Sequence, residues 1–348
     1  MEYLHGGDVY AHPGALDFSA NLSPLGMPAG VRQAAARSLE ACDRYPDPFY
    51  RQLRAALAER EGIPETHLLC GAGAADLIYR FVGALRPGCA LVTAPVFLEY
   101  EAALAACGCR VKRHLLLREE GFEITPRILE EITPEVGLVI LVNPNNPIGL
   151  CIPPGLLDEI ARRCRQTGAW LLLDECFFEF LSDLDRHSLI GLTRQWGGLV
   201  VLRAFTKAYG MAGLRLGWCA CGEEEMLRRM AAQGQPWPVS TPAQAAGLAA
   251  LQEEAYLERL RSLIRQEAPR MAAQLRQMGF WVAEPQANYV FWEDPLGRPL
   301  AQLLEQKGIL IRSCGNFHGL GAQHFRAAVR MPQENRRLLA ALNRIVER

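Results

Sequence analysis

The chain has 348 residues, half of them apolar, with a formal net charge of −1. That composition supports a large buried core in two structural units, and the scattered lysines and arginines offer no basic surface for nucleic acid. No leader-like N-terminal pattern and no membrane-spanning apolar stretch is present in the sequence, so we expect a cytoplasmic protein without membrane contact.

Helical patterns alternate with short apolar runs through the first two thirds of the sequence. The helical patterns are AGVRQAAARSLEAC, FYRQLRAALAEREG, AADLIYRFVGAL and PPGLLDEIARRCRQTG, and the apolar runs are ALVTAP, GLVILVNP, AWLLLDE and GLVVLRAF. This alternation predicts an α/β fold with a mostly parallel sheet covered by helices on both faces. Ligands bind such sheets at the carboxyl ends of the strands. We therefore expect the polar segments that follow these runs to meet in one crevice.

A second unit is predicted after the turn-rich segment QGQPWPVSTP at residues 233–242. One long helical pattern over 243–278 is followed by strand-like and helical segments typical of a smaller α+β domain. We expect an N-terminal arm over 1–40 that contributes to the small domain and the substrate site, a large domain over 41–240, and the small domain over 241–348.

The eleven cysteines lie mostly in apolar runs, which favours reduced, buried thiols over disulfides. Two Cys-x-Cys pairs, Cys107/Cys109 and Cys219/Cys221, resemble half of a metal site. Neither has a matching second pair, so we expect no metal.

Two residues at predicted strand ends carry the chemistry. Lys207 follows the run GLVVL, where partial burial lowers the pKa of a lysine and makes it a nucleophile; the alternative is a surface lysine at the start of a helix. Asp174 ends the run AWLLL, where a carboxylate requires a cation, either a structural partner or a protonated pyridine nitrogen. The turn GAGAAD at 71–76 precedes a helix and offers backbone N–H groups to a phosphate.

Five segments, in order, carry a family resemblance: GAGAADLIY, PVFLEY, NPNNPIG, DECFFEF and TKAYGMAGLRLGW. Together they resemble the fold-type-I pyridoxal-phosphate enzymes of the class I/II aminotransferase family, over nearly the whole chain. The resemblance implies pyridoxal 5′-phosphate as cofactor and Lys207 as the lysine that binds it covalently.

The resemblance also implies the other cofactor contacts. Asp174 matches the partner of the pyridine nitrogen, Phe97 the aromatic residue that stacks on the ring, and Asn146 the amide that binds O3′. The phosphate contacts match Ala74, Ala75, Thr206 and Arg215. Ala204 stands where many relatives carry a hydroxyl, which removes one phosphate contact. Tyr45 matches a tyrosine that reaches the cofactor phosphate of the neighbouring subunit, and this implies a homodimer with shared sites.

Substrate binding is also implied by the resemblance. Arg326 matches the arginine that binds the substrate α-carboxylate. Phe177, the HGG turn ahead of DFSAN, and the segment IRSCGNFHGLGAQHFRAAVR favour the branch that decarboxylates O-phospho-L-threonine to aminopropanol phosphate for cobalamin biosynthesis. The candidates for the substrate phosphate are His5, Gly6, Gly7, Asn21, Arg312 and Arg330.

Other functions stay open at this point. The branch that transaminates histidinol phosphate, or another aminotransferase of the family, is the nearest alternative. A nucleotide-linked oxidoreductase requires a Gly-x-Gly-x-x-Gly turn that the first βαβ unit lacks. A non-catalytic binding protein on the same scaffold would have no use for Lys207.

Overall fold

The computed structural model describes residues 5–184 and 186–347. A seven-stranded sheet forms its centre, in the strand order β2-β8-β7-β6-β5-β3-β4. Its strands are β2 (Leu68–Gly71), β3 (Cys89–Ala94), β4 (Arg110–Leu115), β5 (Leu138–Val142), β6 (Trp170–Asp174), β7 (Leu199–Ala204) and β8 (Gly217–Cys221). Strands β4, β3, β5, β6 and β7 pair in parallel, and β8 is antiparallel to both β7 and β2. The predicted mostly parallel sheet is confirmed.

Alternate residues of the central strands enter two hydrophobic clusters. In β5, Leu138, Ile140 and Val142 belong to one cluster, and Val139 and Leu141 belong to the other. Because successive side chains of a strand point to opposite faces, both faces of the sheet are buried. The covering helices that precede or follow these strands are α1 (Ala29–Ser38), α2 (Arg51–Glu61), α3 (Ala74–Leu85), α4 (Glu99–Ala106), α5 (Ile128–Glu131), α6 (Pro154–Thr167) and α7 (Glu224–Ala232).

The C-terminal third contains a four-stranded antiparallel sheet in the order β12-β13-β10-β9. Its strands are β9 (Trp281–Val282), β10 (Tyr289–Glu293), β12 (Arg312–Ser313) and β13 (His324–Ala328), and the helices here are α10 (Leu300–Glu305) and α11 (Pro332–Val346). The N-terminal segment joins this part of the chain, because β1 (Leu16–Asp17) pairs in parallel with β11 (Ile309–Leu310). The expected domain boundaries stay predictions.

The long helical pattern expected over 243–278 is two helices, α8 (Thr241–Ala250) and α9 (Glu254–Gln277). The chain turns at residues 251–253, where the N–H groups of Gln252 and Glu253 donate to the carbonyls of Ala249 and Ala250. The turn lets α8 pack on α1 and α2 while α9 packs on α11 and β10. In the described ranges, no helix is long and apolar enough to cross a bilayer.

Candidate active site

Two adjoining cavities lie at the carboxyl ends of the parallel strands. The first, of about 160 Å³, is called the aspartate cavity here and is lined by Ala74, Ala75, Ile78, Phe97, Tyr100, Val142, Asn146, Asp174, Cys176, Phe177, Ala204, Thr206, Lys207 and Arg215. The second, of about 190 Å³, is called the arginine cavity and is lined by His5, Gly6, Ser19, Ala20, Asn21, Phe97, Leu98, Asn146, Phe177, Lys207, Arg312, Phe317 and Arg326. Four residues, Phe97, Asn146, Phe177 and Lys207, belong to both. The structure thus brings most of the predicted site residues together around Lys207.

Lys207 follows β7 and lies between the two cavities. Burial, together with the positive charge of Arg326, lowers the pKa of its amine to about 8. Its Nζ lies 5.8 Å from the centroid of the Phe177 ring. Its backbone carbonyl accepts a hydrogen bond of 2.9 Å from the N–H of Ser23, which fixes the loop that follows β7. A partly desolvated amine with a lowered pKa is a nucleophile near neutral pH.

Asp174 ends β6 and is buried. Its Oδ1 accepts a 2.7 Å hydrogen bond from the N–H of Cys176, and its Oδ2 accepts one from the hydroxyl of Tyr100. Burial raises the pKa of the Asp174 carboxyl, against the lowering effect of these two hydrogen bonds and of Lys207. A buried carboxylate in this position stabilises a cationic nitrogen that enters the cavity.

Tyr100 is a site residue that the sequence reasoning missed. It lies in α4, three residues after Phe97, and is fully buried, so burial and the nearby Asp174 raise the pKa of its hydroxyl far above its usual value. It therefore acts only as a hydrogen-bond donor to Asp174. Its place at the end of the segment PVFLEY, three residues after Phe97, is the signal that could have identified it.

An anion site lies at the start of α3. The N–H groups of Ala74 and Ala75 are in the first turn of this helix, where they have no intrahelical acceptor. Gly73, at φ +92°, and Gly217 allow the close approach of backbone here, since a Cβ on Gly217 would lie 2.6 Å from the Ala74 nitrogen. Thr206 and Arg215 line the aspartate cavity too, and the Arg215 guanidinium lies beside Gly73. This arrangement suits a phosphate dianion.

Arg326 is the buried cation of the arginine cavity. Its Nη2 donates a 2.9 Å hydrogen bond to the carbonyl of Ser19, and its Nη1 donates to Oδ1 of Asn146. Among the described residues its Nε has no partner, and neither side-chain polar atom of the buried Asn21 has one. Buried polar atoms without partners are costly, so these groups favour a ligand that supplies oxygens and hydrogen-bond donors.

Arg312 and the N-terminal segment form the far wall of the arginine cavity. Arg312 donates a 2.7 Å hydrogen bond to Oδ1 of Asn316. Nε2 of His5 lies 2.9 Å from Oε1 of Glu99, and Gly6 lies so close to Ser19 that a Cβ would be 2.5 Å from the Ser19 carbonyl oxygen. Arg312, His5 and Gly6 all line the arginine cavity, and Arg312 adds a second guanidinium to that of Arg326.

Three of the predicted residues do not line either cavity. The N–H of Gly7 donates a 2.7 Å hydrogen bond to Oγ of Ser19. Arg330 is beyond the end of β13, where it pairs with Glu334 at 2.8 Å and donates to the Asp17 carbonyl. Tyr45 is 76% exposed and stacks on Trp237 at a ring distance of 4.2 Å. The structure therefore does not bring Arg330 to the substrate side, and Tyr45 lies outside the cavities of its own chain.

The eleven cysteines are free thiols, and six of them are buried. Within the described ranges, no group of three or more His, Cys, Asp or Glu side chains is arranged to hold a metal ion. The residues do fit pyridoxal phosphate. An amine is present for its aldehyde, a buried carboxylate for its ring nitrogen, an aromatic face for its ring and an anion site for its phosphate.

The reactivity of Lys207 should follow its lowered pKa. In protein stripped of cofactor, acylation of Lys207 by an amine reagent should accelerate as pH rises and level off above about pH 8, because the neutral amine is the reacting form. Peptide mass spectrometry at a series of pH values measures this rate, with Lys112 and Lys307, the other two lysines, as internal references. A Lys207 rate that still rises steeply above pH 10 would contradict the effect of burial.

Comparisons with known proteins agree with this geometry. The sequence profile of the aminotransferase class I and II family matches residues 13–342. The chain is 37% identical to a threonine-phosphate decarboxylase of Salmonella typhimurium, over 95% of this chain and 91% of that protein. It is 31% identical to histidinol-phosphate aminotransferase 1 of Cupriavidus pinatubonensis, over 96% of this chain and 89% of the relative.

A solved structure supports the same assignment. The histidinol-phosphate aminotransferase of Clostridium acetobutylicum superposes with a TM-score of 0.90 at 28% identity, covering 95% of this chain and 99% of that one. Profile, relatives and fold agree over almost the full length. The chain belongs to the aminotransferase class I and II family of fold-type-I, pyridoxal-phosphate-dependent enzymes.

Proposed function

We propose that this enzyme decarboxylates O-phospho-L-threonine to (R)-1-aminopropan-2-yl phosphate and CO₂. The observation that carries the proposal is the arginine cavity, in which two arginines, Arg326 and Arg312, line one small space next to Lys207. A substrate with two anionic groups, a carboxylate and a phosphate, matches two separate cations. The identity with the Salmonella decarboxylase over 95% of the chain supports this reading.

The side chains of the aspartate cavity would hold the cofactor. When bound, pyridoxal phosphate withdraws electrons from the bond that breaks at the substrate α-carbon. The Asp174 carboxylate would hold a proton on the ring nitrogen, and the hydroxyl of Tyr100 hydrogen-bonds that carboxylate. Ala74, Ala75, Thr206 and Arg215 would bind the phosphate, Asn146 would bind O3′, and Phe97 would cover the ring; all of them line the aspartate cavity.

The side chains of the arginine cavity would select the bond that breaks. The orientation in which these side chains hold the substrate would decide whether the α-carbon loses CO₂ or a proton. Arg326 binds the carboxylate, and Arg312, with Asn21, His5 and Gly6, binds the side-chain phosphate. These contacts would fix the orientation of the substrate carboxylate beside Lys207. After CO₂ departs, the Lys207 side chain in its ammonium form would donate a proton to the α-carbon and return to the neutral amine.

The residue next to Lys207 supports decarboxylation over transamination. Phe177 is 4% exposed and packs edge-on against Tyr289 with ring centroids 5.1 Å apart. It offers no hydroxyl to the cofactor. The resemblance places a tyrosine at this position in enzymes that transaminate histidinol phosphate.

A homodimer with shared sites belongs to the same proposal. Tyr45, Phe49 and Trp237 are exposed aromatic residues, and the last two line a groove of about 600 Å³. Exposed apolar surface of this kind is typical of an interface. Because Tyr45 lies outside the cavities of its own chain, we propose that it reaches the cofactor phosphate bound by its partner.

The reaction itself is the first prediction of this proposal. Purified enzyme loaded with pyridoxal phosphate should release CO₂ from O-phospho-L-threonine without any 2-oxo acid acceptor, and plain L-threonine should be a poor substrate. Gas release and mass spectrometry of the product measure this. Rapid amino exchange between histidinol phosphate and 2-oxoglutarate, with no CO₂ from O-phospho-L-threonine, would show that the enzyme is an aminotransferase and not a decarboxylase. The cofactor assignment would be unchanged by that result.

Replacement of Arg312 by alanine should lower kcat/KM for O-phospho-L-threonine roughly 10- to 150-fold, because a charge-assisted contact to phosphate is worth about 1.5 to 3 kcal/mol. The small activity on L-threonine should change little, since that substrate has no phosphate. Arg118→Ala is the matched control. The Arg312 guanidinium lies 5.2 Å from the centroid of the Phe317 ring, and that of Arg118 lies 3.9 Å from the centroid of the Trp281 ring, but Arg118 lines neither cavity. Equal losses on both substrates would show that Arg312 does not recognise the phosphate.

Mixed dimers test the shared site. Lys207→Ala chains, which should be inactive, are refolded together with Tyr45→Ala chains, which should be weakened. If Tyr45 serves the partner's cofactor, each mixed dimer has one fully active site. Those sites are about a quarter of all sites in the mixture. Light scattering confirms the dimer, and turnover is compared with the average of the two separate variants. Activity no higher than that average in verified mixed dimers would place Tyr45 outside the shared site.

A further inference from the structure

A buried ion pair lies directly beside the aspartate cavity. Nε of Arg203 donates a 2.9 Å hydrogen bond to Oε2 of Glu175. Glu175 is 1% exposed and Arg203 is 5% exposed. Neither side chain lines the aspartate cavity or the arginine cavity, so neither can touch cofactor or substrate.

All the polar groups of this pair have partners. Nη1 of Arg203 donates to Oε2 of Glu61 at 2.9 Å, and Nη2 donates to Oγ of Ser188 at 3.0 Å. The Arg203 guanidinium also lies 4.0 Å from the ring centroid of Phe178. The other carboxylate oxygen of Glu175 accepts from the N–H of Leu189 at 3.2 Å. The pair is therefore held rigidly by the surrounding chain.

The pair joins the two strands that carry the central groups of the site. Glu175 follows Asp174 at the end of β6, and Arg203 lies in β7 four residues before Lys207. In the parallel ladder Asp174 is opposite Leu202, and the N–H of Glu175 donates to the Leu202 carbonyl at 2.8 Å. The side-chain pair thus links β6 and β7 at the end of their ladder, one residue from Asp174.

We propose that Arg203 and Glu175 are positioning residues for the cofactor site. Their ion pair fixes the ends of β6 and β7 and so holds the Asp174 carboxylate and the Lys207 amine in one relative position. Burying an ion pair costs desolvation energy that its attraction barely offsets, so stability alone is a weak reason for a charged pair here. The benefit we propose for the pair is the precise placement of Asp174 and Lys207.

The test uses the enzyme loaded with pyridoxal phosphate and three variants, Glu175→Gln, Arg203→Met and the double variant. Visible circular dichroism reports how rigidly the cofactor is oriented, and titration gives its dissociation constant. Each single variant should lose at least half of the visible band and bind cofactor about tenfold more weakly. The double variant should lose no more than the worse single variant, because the two residues act as one unit. These readouts require no turnover, so they are independent of which substrate the enzyme uses.

A matched control separates positioning from stability. Asp294, which is fully buried, pairs with Arg298 at 2.8 Å away from both cavities. Asp294→Asn should lower the free energy of unfolding but leave the visible band and the cofactor affinity unchanged. Arg203→Lys keeps the charge and serves if Arg203→Met does not fold; it should give a smaller loss of the visible band. Wild-type spectra and cofactor affinity in both Glu175→Gln and Arg203→Lys would overturn the proposal.

Discussion

Lys207 and Asp174 lie at the ends of neighbouring parallel strands, and both are withdrawn from water. Burial disfavours the charged form of each group, so it lowers the pKa of the amine and raises the pKa of the carboxyl. The amine becomes a nucleophile by this effect. Hydrogen bonds from Tyr100 and Cys176, together with the nearby Lys207, act against the rise in the pKa of the carboxyl. Burial therefore shifts the pKa values of these two residues in opposite directions, and adjacent strands place the residues close together.

The arginine cavity is prepared for an anionic ligand by polar atoms that lack partners. Nε of Arg326 and the amide of Asn21 are buried without hydrogen bonds among the described residues. Buried polar atoms without hydrogen bonds cost free energy, and a ligand that hydrogen-bonds these atoms would recover that cost. The contact between Arg326 and Asn146 links this cavity to the aspartate cavity. A ligand bound to Arg326 in the arginine cavity thus affects Asn146, which also lines the aspartate cavity.

Local patterns in the sequence were enough to predict the elements that carry the site. The runs that became β3, β5, β6 and β7 are continuous apolar segments, and the ends of parallel strands always meet at one edge. Asp174 could be identified because it ends such a run, and Lys207 because it comes three residues after one.

Features that depend on distant pairing could not be predicted in this way. The hydroxyl of Tyr100 meets Asp174 across 74 positions of sequence, and Arg203 meets Glu61 across 142. The long helical pattern divides into α8 and α9 because α8 packs on α1 and α2, whereas α9 packs on α11 and β10. Arg330, like Arg312, follows a short apolar run in the sequence, but it pairs with Glu334 of α11.

The pairing of β1 with β11 joins the two ends of the chain, since Leu16 is opposite Ile309. The contact between Arg326 and the Ser19 carbonyl spans 307 positions. Every strand of the large sheet, by contrast, lies between residues 68 and 221. During synthesis on the ribosome, the residues of the aspartate cavity are therefore all made before the arginine cavity can close. The side chains proposed to hold the cofactor are thus synthesised early, and the two arginines proposed to bind the substrate, Arg312 and Arg326, follow only when translation is nearly complete.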